Sequence, residues 1–509
     1  MDVEKLKEIK IDKTEIVEID YISNSEYKSD NGEVHSDLPE LYRIKFVSKP
    51  GDGSLISIEV WLPLNWNGIF LGTGNGGMAG NICYGALATY VRDGYAVANT
   101  DMGTSRGRNS GIGNPDVWKD FGWRSTHIMT VIGKMVIKLF YGKEPEYSYF
   151  IGGSTGGQQA LSEAQRFPED YDGIIAAAPA NNRTMLHTYF LWNHNHLRKN
   201  GEEPLFSRQE IDRISECAVL YFQKQGDGEP GDNFVSVPKG ETEDIKAFLV
   251  FLQTHTEFSE EQLKAIEAVY VGPVNSATGK RIYNGIPIGS EAVFAGGFED
   301  CQQEESPNFY PFLWAFGENY DGYSFDFDKD MDKLNGMLAA DLNANCADLS
   351  KFKKQGGKMI MYTGSSDPCV PYPDTLNYYN RVMEQMGGYE GVQSFFRYFL
   401  MPGQSHNDDG NGTNEVWANA DGGSLLDALR LWREDGQAPE SLVGVGFINK
   451  CREDGIRFVR CVYPCGSKKD ISKMKYPPVC DEVYLNAGSG QTIPERKIRD
   501  EKNKIHCIL

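Results

Sequence analysis

The chain has 509 residues, of which 40% are hydrophobic and 12% aromatic, a composition typical of a globular protein too long for one small core. Asp and Glu outnumber Lys and Arg by 72 to 51, and the formal net charge of −21 argues against nucleic acid and anionic membrane surfaces as partners. The ten cysteines include no CxxC pair, so a zinc site is not expected.

The sequence starts with MDVEKLKEIKIDKTEIVEID, in which charges recur every few residues. This segment predicts neither a signal peptide nor a membrane span, and no later apolar run approaches the length of a span. We therefore expect a cytoplasmic protein with no membrane partner. A secreted protein whose signal has been removed is the alternative. The sequence carries no signal that predicts an oligomeric state.

The first 180 residues alternate between strand and helix patterns. Strands are expected in LYRIKFV, SLISIEVWLPL, NGIFLGT, GYAVANT, YSYFIGG and YDGIIAAAPA. Helices are expected in HIMTVIGKMVIKLFYG and TGGQQALSEAQRFP, where apolar residues recur with a helical period. This alternation predicts an α/β fold with a mostly parallel central sheet.

The alternation stops between residues 181 and 350, where the chain is polar, helical and rich in aromatic residues. It resumes with the strand GGKMIMYTGSSDP, the helix TLNYYNRVMEQMG, the strand SFFRYFLMPG and the helix SLLDALRLWREDG. We therefore predict a core formed by residues 1–180 and 351–509. A large lid domain, residues 181–350, is inserted into it.

A short glycine-rich motif, Gly152-Gly153-Ser154-Thr155-Gly156, matches the G-x-S-x-G pattern of a nucleophile elbow. The pattern has a steric reason: a strained strand-to-helix turn needs small neighbours so that the serine hydroxyl projects above the sheet. The preceding strand and the following helix supply that context. Ser154 is therefore the candidate nucleophile. The alternative is a glycine-rich helix entry that contains an incidental serine.

A nucleophilic serine needs a histidine base and an orienting acid, which follow it along the chain in this type of fold. Among the eight histidines, His406 follows a late core strand, in LMPGQSHNDDG, where a triad histidine belongs. Asp367 follows the preceding core strand and is the candidate acid. Asp408 and Asp409 adjoin His406 too closely in the chain to orient its ring easily. Solvated loop residues are the alternative for both positions.

Two backbone N–H groups are needed to bind the oxyanion of a tetrahedral intermediate. Thr155 follows the nucleophile at a helix N-terminus and is expected to supply one. Gly76 or Gly77, in the early loop GTGNGGMAG, is expected to supply the other. That loop matches neither G-x-G-x-x-G in register with a first strand and helix nor a P-loop ending, so a nucleotide site is the weaker interpretation.

The lid contains three further features with alternative interpretations. Asp227, Glu229 and Asp232 are spaced like part of a calcium loop but lack the EF-hand register, and a solvated acidic turn explains them as well. The aromatic run NFYPFLWAF suits core packing better than a substrate wall. His194 and His196 lack a third ligand in register, and we interpret them as ordinary polar surface rather than a metal pair.

Five ordered blocks of the sequence resemble the tannase and feruloyl esterase family, which includes mono-ester hydrolases of terephthalate esters. The blocks are LPLNWNGIFLGTGNGGMAG, the stretch from FGWRSTHIM to GIIAAAPA, FSEEQLKAIEAVYVGPVNSATGKRIYNGIPIGSE, YTGSSDPCVPYPDTLNYYNRV and GQSHNDDG. The resemblance implies an α/β-hydrolase core with a large lid. It also implies a serine esterase with Ser154, Asp367 and His406 as nucleophile, acid and base.

The resemblance also raises two questions of detail. Family members are secreted and carry calcium in an aspartate-rich lid loop, which Asp227 and Asp232 match only in part. They also join a cysteine before the nucleophile to one after the catalytic histidine, where this chain has Gly153 and Asn407. Cys461 and Cys480 look like a later disulfide pair of the family. We expect hydrogen bonds, including those of Asp408 or Asp409, to hold the His406 loop in place of the missing disulfide.

We therefore expect a serine carboxylesterase that hydrolyses esters of aromatic acids such as gallate or hydroxycinnamate through an acyl-enzyme. Its partner is a small aromatic ester, and it needs no cofactor apart from a structural calcium expected from the resemblance. An esterase acting on other aryl or acetyl esters is the alternative within this class. Outside it, the alternatives are an inactive polyphenol- or carbohydrate-binding relative and a metal-dependent hydrolase that uses lid carboxylates with His194 and His196.

Overall fold

A computed structural model describes Leu6 and residues 9–467, apart from residues 24, 202, 230, 239, 241 and 305–308. Cys480, one half of the disulfide expected with Cys461, lies outside the described residues, so that pairing stays a prediction. In the part of the chain that is described, no helix is both long enough and apolar enough to span a membrane.

The described residues form one nine-stranded sheet and a smaller C-terminal sheet. The strands of the large sheet are β1 (Thr14–Ile22), β2 (Leu41–Ser48), β3 (Ile56–Pro63), β4 (Ile69–Thr73), β5 (Ala96–Thr100), β6 (Tyr147–Gly153), β7 (Gly173–Ala177), β8 (Lys358–Gly364) and β9 (Phe396–Met401). Those of the small sheet are β10 (Glu415–Trp417), β11 (Leu442–Phe447) and β12 (Ile456–Val462). The short two-residue ladders are Tyr27–Lys28 with Val34–His35, Arg198–Lys199 with Glu203–Pro204, and Val274–Asn275 with Lys280–Arg281.

The large sheet has the strand order β1-β2-β3-β5-β4-β6-β7-β8-β9. Strands β1, β2 and β3 pair antiparallel with their neighbours, and all pairs from β5 to β9 are parallel. The predicted α/β fold with a mostly parallel sheet is therefore confirmed. Because the parallel strands point the same way, the loops that follow β6, β8 and β9 meet at one edge of the sheet.

The α-helices of the described residues flank the sheet or form the lid. They are α1 (Tyr84–Arg92), α2 (Pro115–Lys119), α3 (Ser125–Tyr141), α4 (Thr155–Arg166), α5 (Arg183–Leu197), α6 (Arg208–Gln223), α7 (Thr242–His255), α8 (Glu260–Val271), α9 (Phe298–Cys301), α10 (Tyr310–Phe316), α11 (Asp330–Leu342), α12 (Ser350–Lys354), α13 (Tyr372–Gln385), α14 (Gly388–Gln393) and α15 (Leu425–Asp435). A π-helical turn, Asp120–Arg124, joins α2 to α3. Short 3₁₀ turns span Arg108–Gly111, Gly322–Ser324, Ile448–Lys450 and Arg452–Asp454.

Alternating side chains give the central strands two apolar faces. On one face Phe70 and Phe150 join a buried cluster with α3, α4 and α13. On the other face their neighbours Leu71 and Tyr149 pack with α1 and α15. Helices therefore cover both faces of the parallel strands, as buried parallel sheets require.

The segment predicted to form the lid lies between β7 and β8 and consists mainly of α5 to α11. Capping boxes at Ser207 and Ser259 begin α6 and α8. In the predicted aromatic run, Tyr310, Phe312 and Trp314 are each 1% exposed in the lid core. These three rings therefore pack in the protein interior, which was the favoured interpretation of the run.

Candidate active site

Ser154 occupies a strained turn between β6 and α4. Its backbone has φ 58° and ψ −117°, a conformation that L residues adopt rarely. A side chain at Gly152 would place its Cβ 2.4 Å from the carbonyl carbon of Gly156, and one at Gly157 would lie 2.6 Å from the Cα of Pro179. The glycines therefore permit the tight strand-to-helix turn on which the serine stands, as the motif predicted.

The structure brings the other two candidate residues into direct contact. His406 Nδ1 donates a hydrogen bond to Asp367 Oδ2 at 2.8 Å. The other carboxylate oxygen, Oδ1, accepts the backbone N–H groups of Cys369 and Val370, each at 2.8 Å. Asp367 is 1% exposed, so this buried carboxylate is held in one orientation by three donors.

This contact fixes both the tautomer and the basicity of His406. Because Nδ1 carries the proton given to Asp367, Nε2 is left to accept one. Burial alone would lower the pKa of His406, but the charge and hydrogen bond of Asp367, together with the Cys369 thiol, outweigh it and raise that pKa well above its usual value. The ring is therefore equipped to take up a proton from a neighbouring hydroxyl.

Ser154, Asp367 and His406 follow β6, β8 and β9 at the same edge of the sheet. Among the described residues, no hydrogen bond joins the Ser154 hydroxyl to His406, whereas the backbone N–H of Ser154 donates to Ala177 O at 2.9 Å. Catalytic hydrogen bonds are often long in ligand-free enzymes and tighten when substrate binds. The structure thus joins the candidate acid to the candidate base and places the candidate nucleophile at the same edge.

The predicted oxyanion loop lies beside the elbow. Gly156 donates its N–H to Asn75 O at 2.7 Å, while no hydrogen bond among the described residues uses the N–H of Thr155. A Cβ at Gly76 or at Gly77 would meet no atom within 4 Å, so both glycines face open space. The Gly76 N–H contacts the Cys83 thiol, which leaves Gly77 as the better candidate for the second donor.

Arg183, at the start of α5, is a residue that the sequence analysis missed. Its guanidinium is buried and donates from Nη2 to Thr155 Oγ1 at 2.9 Å and from Nε to Gln158 Oε1 at 2.8 Å. Thr155 Oγ1 in turn donates to Gly77 O at 2.5 Å. Arg183 therefore holds the two candidate oxyanion donors in one network, although no local motif marks it.

We expect Arg183→Lys to lower kcat by about 10- to 100-fold with a smaller change in KM, because a lysine cannot bridge Thr155 and Gln158 and small displacements of oxyanion donors are costly. Steady-state kinetics on p-nitrophenyl acetate would measure both constants. Arg198→Lys is the matched control, since Arg198 is also a buried lid arginine but bonds the carbonyl of Gln302. Equal losses in both variants would mean that Arg183 only stabilises the lid.

The loop that carries His406 is held by its own polar side chains. Gln404 Nε2 donates to Asp408 Oδ1 at 2.7 Å, and Ser405 Oγ donates to Asp409 Oδ1 at 2.6 Å. Burial raises the pKa of Asp408 to about 6. Both aspartates contribute contacts, as expected for a loop that lacks the family's disulfide.

Apolar side chains from three site loops face the lid. Met78 and Ala79 of the oxyanion loop, Ala178 after β7 and Cys369 beside the acid are half-buried and pack against the lid's hydrophobic cluster. The boundary between the elbow edge and the lid is therefore apolar on the core side.

The structure corrects the prediction that His194 and His196 are ordinary polar surface residues. His194, which the sequence analysis assigned to polar surface, is 3% exposed. Its Nδ1 bonds the Cys301 carbonyl at 3.0 Å and its Nε2 meets the Tyr323 hydroxyl at 2.9 Å, and burial lowers its pKa. His196 bonds the Trp192 carbonyl within its own helix at 2.8 Å. The error arose because Tyr323 is distant in the chain and no local signal announces it.

Of the carboxylates considered for calcium, Asp232 forms an ion pair with Arg460, and Asp227 accepts backbone N–H groups. The one group of three ligand-type side chains that lie within 4.8 Å of one another in the described part of the chain is His127, Glu163 and Asp170. There His127 Nδ1 and Asp170 Oδ2 are 2.6 Å apart, a direct hydrogen bond. Two ligands about 2.1 Å from one ion would lie roughly 3 Å apart or more, so this spacing fits a shared proton better than a metal.

Glu163 lies beside this pair, and neither of its carboxylate oxygens has a hydrogen-bond partner among the described residues. It is 1% exposed, and burial followed by the charge of Asp170 raises its pKa well above the usual value. A carboxyl whose pKa is raised on folding stabilises the protein fully below its unfolded pKa and loses that contribution as pH rises through the folded pKa.

We therefore expect Glu163→Gln to gain stability relative to wild type as pH rises from 5 to 8, because a glutamine side chain binds no proton and loses no such contribution as the pH rises. Urea unfolding at a series of pH values would measure this difference. Glu169→Gln, at an exposed position next to Asp170, is the control and should follow wild type at every pH. A pH-independent difference for Glu163→Gln would contradict the raised pKa of Glu163.

Comparisons with known proteins point in one direction. A family model described as "Tannase and feruloyl esterase" matches residues 43–469. An uncharacterized esterase of Xanthomonas campestris pv. campestris is 31% identical over 483 residues, covering 86% of this chain and 83% of the relative. A probable feruloyl esterase B-2 of Aspergillus flavus is 30% identical over 465 residues, covering 83% of each chain.

Solved structures agree with this result. An esterase from Aspergillus oryzae superimposes with a TM-score of 0.78 at 25% identity, over 91% of this chain and 94% of that one. Feruloyl esterase B from the same species gives a TM-score of 0.78 at 23% identity, over 92% and 97% of the two chains. The fold is therefore shared over nearly the whole length.

Proposed function

The chain belongs to the tannase and feruloyl esterase family of carboxylic ester hydrolases, and on that premise we propose that it cleaves esters of aromatic acids through an acyl-enzyme on Ser154. The observation that carries this proposal is the contact between His406 and the buried Asp367 at the sheet edge that also carries the strained Ser154 turn. An ester hydrolase of this kind acts on small ester substrates.

The acylation step uses these residues in fixed roles. His406 Nε2 removes the proton of the Ser154 hydroxyl, and the serine oxygen attacks the ester carbonyl carbon. Asp367 holds the imidazole in the required tautomer and stabilises the imidazolium that forms. The same imidazolium then gives its proton to the leaving alcohol as the C–O bond breaks.

The oxyanion is bound by the N–H groups of Thr155 and Gly77, aligned through Arg183. In the second step His406 Nε2 removes a proton from water, and the water oxygen attacks the acyl carbon. His406 then returns the proton to the Ser154 oxygen as the acyl–serine bond breaks and the acid leaves. Acyl transfer of this kind needs no organic cofactor.

Two observations support an aromatic acyl group. The core side of the site is apolar through Met78, Ala79, Ala178 and Cys369, which suits a flat ring more than a sugar or an acetate. The relatives that match over most of the chain include proteins named as feruloyl esterases. We therefore place hydroxycinnamate and gallate esters ahead of acetyl esters.

Initial rates on methyl ferulate, methyl gallate and p-nitrophenyl acetate test the proposal. We expect the highest kcat/KM on one of the two aromatic acid esters. Equal or better kcat/KM on the acetate would favour a general aryl or acetyl esterase instead. No turnover of any ester, with no labelling by a fluorophosphonate, would favour an inactive binding relative.

A further inference from the structure

The lid loop formed by residues 227–229 and 231–237, here called the acidic lid loop, is where the family resemblance implies calcium. Calcium takes six to eight oxygen ligands. In this chain Asp227 accepts the N–H groups of Ser236 and Val237 at 2.7 and 3.2 Å. Within the described residues, neither Asp227 nor Asp232 belongs to a group of three ligand-type side chains close enough to share an ion. The residues present therefore do not fit a calcium site.

A positive charge of the chain itself lies at this loop. Arg460, on β12, donates from Nη2 to Asp232 Oδ1 at 2.6 Å and from Nη1 to Asp232 Oδ2 at 2.8 Å. The two side chains are 22% and 7% exposed, so the pair is largely shielded from water. The guanidinium also lies 5.4 Å from the ring centre of Phe234 and 4.5 Å from that of Phe458. This bidentate, stacked geometry is specific to arginine.

We propose that the Arg460 guanidinium replaces calcium in this chain: it neutralises Asp232 and fastens the acidic lid loop to the core as a bound ion would. An arginine side chain is always charged and, unlike a bound ion, cannot leave the protein. The neutralisation of Asp232 therefore does not depend on the supply of free calcium. The lid loop is therefore stable without a metal.

The fastened loop also reaches the catalytic histidine. A Cβ at Gly403 would lie 2.2 Å from Phe234 Cδ2, so the phenylalanine packs directly on the backbone that precedes His406. On the other side of His406, Asn411 donates to Asn233 O at 3.2 Å. Near the acid, Ser365 Oγ donates to Ser236 O at 2.5 Å. Arg460 is thus a positioning residue for His406, and this link, unlike calcium replacement, rests on the proposed function.

The test measures calcium binding by titration calorimetry and the thermal midpoint with EDTA or calcium chloride, for wild type, Arg460→Gln and Asp232→Asn. Magnesium chloride controls for ionic strength. Arg452→Gln is the matched control, because Arg452 forms an exposed ion pair with Glu415 just before β12. Steady-state kinetics on p-nitrophenyl acetate follow on the same samples.

We expect wild type and Arg452→Gln to bind no calcium and to keep their midpoints in EDTA. Arg460→Gln should melt several degrees lower because Asp232 loses its bidentate partner. Neither calcium nor magnesium should restore that loss, since too few ligand side chains lie close enough to share an ion. Asp232→Asn should melt lower without any response to calcium. In Arg460→Gln, kcat should fall more than KM rises.

Calcium binding by wild type, or a wild-type midpoint that falls in EDTA and recovers with calcium, would overturn the proposal. So would an Arg460→Gln variant with the wild-type midpoint, and calcium binding by that variant would contradict the statement that the residues present do not fit the ion. If Arg460→Gln fails to fold, the wild-type titration and Asp232→Asn still decide the question. A lowered Arg460→Gln midpoint with unchanged kcat would overturn only the link to His406.

Discussion

Replacing Ser154 with alanine is expected to lower kcat on a preferred aryl ester by about 10⁶-fold, the loss found when a triad nucleophile is removed. The variant keeps the fold, because alanine meets the same backbone strain at φ 58° as serine and needs no new space. KM and the thermal midpoint should therefore change little. Initial rates with wild type and variant, prepared side by side, measure the effect.

Ser162→Ala is the matched control for this experiment. Ser162 lies on the same helix, α4, is 1% exposed, and its hydroxyl makes no hydrogen bond among the described residues. We expect wild-type kinetics from this control. Activity that survives Ser154→Ala but is lost with a chelator would instead support a metal-dependent hydrolase.

Asp367→Asn is expected to lower kcat by about 10⁴-fold, because an asparagine amide favours the wrong imidazole tautomer while leaving the geometry intact. The substitution also removes the charge that raises the pKa of His406. In wild type the rate rises with pH as His406 loses its proton, with a midpoint above the ordinary histidine value. In Asp367→Asn this rising limb should move to lower pH.

A pH profile of kcat/KM for both proteins measures the shift. Asp408→Asn is the control, because Asp408 adjoins His406 in the chain but bonds Gln404 rather than the ring. Its kcat should stay close to that of wild type. A large loss in Asp408→Asn with a small one in Asp367→Asn would exchange the roles of the two carboxylates.

The parts of the fold that repeat with a clear period could be predicted from the sequence. Strands β2 to β9 and helices α3, α4, α13 and α15 were predicted, because the helices carry one regular apolar face and the strands are short alternating or wholly apolar runs. Strand β1 was missed because Glu18 and Asp20 give it the pattern of a charged N-terminal segment without regular structure. In the structure these carboxylates pair with Arg43 on the next strand, at 2.6 and 2.8 Å. Such pairing depends on tertiary contact and leaves no local pattern.

Some residues of the candidate site could likewise be predicted from a local pattern, and others could not. Ser154 and Thr155 lie in a local motif whose glycines have a steric reason, so the sequence predicts them directly. Arg183 and Cys369 could not be found, since their importance lies in contacts with Thr155 and His406 across the fold. Arg460 was missed for the same reason: its partner Asp232 lies 228 positions earlier in the chain.

The central claim, an acyl-enzyme on Ser154, is tested most directly by rapid-quench mass spectrometry. The protein is mixed with an excess of p-nitrophenyl acetate or a preferred aromatic ester, quenched in acid within the first turnover, and digested. The account predicts a mass increase equal to the acyl group on the peptide that contains Ser154. Full turnover with no acylated peptide, or with the acyl group on another residue, would contradict it.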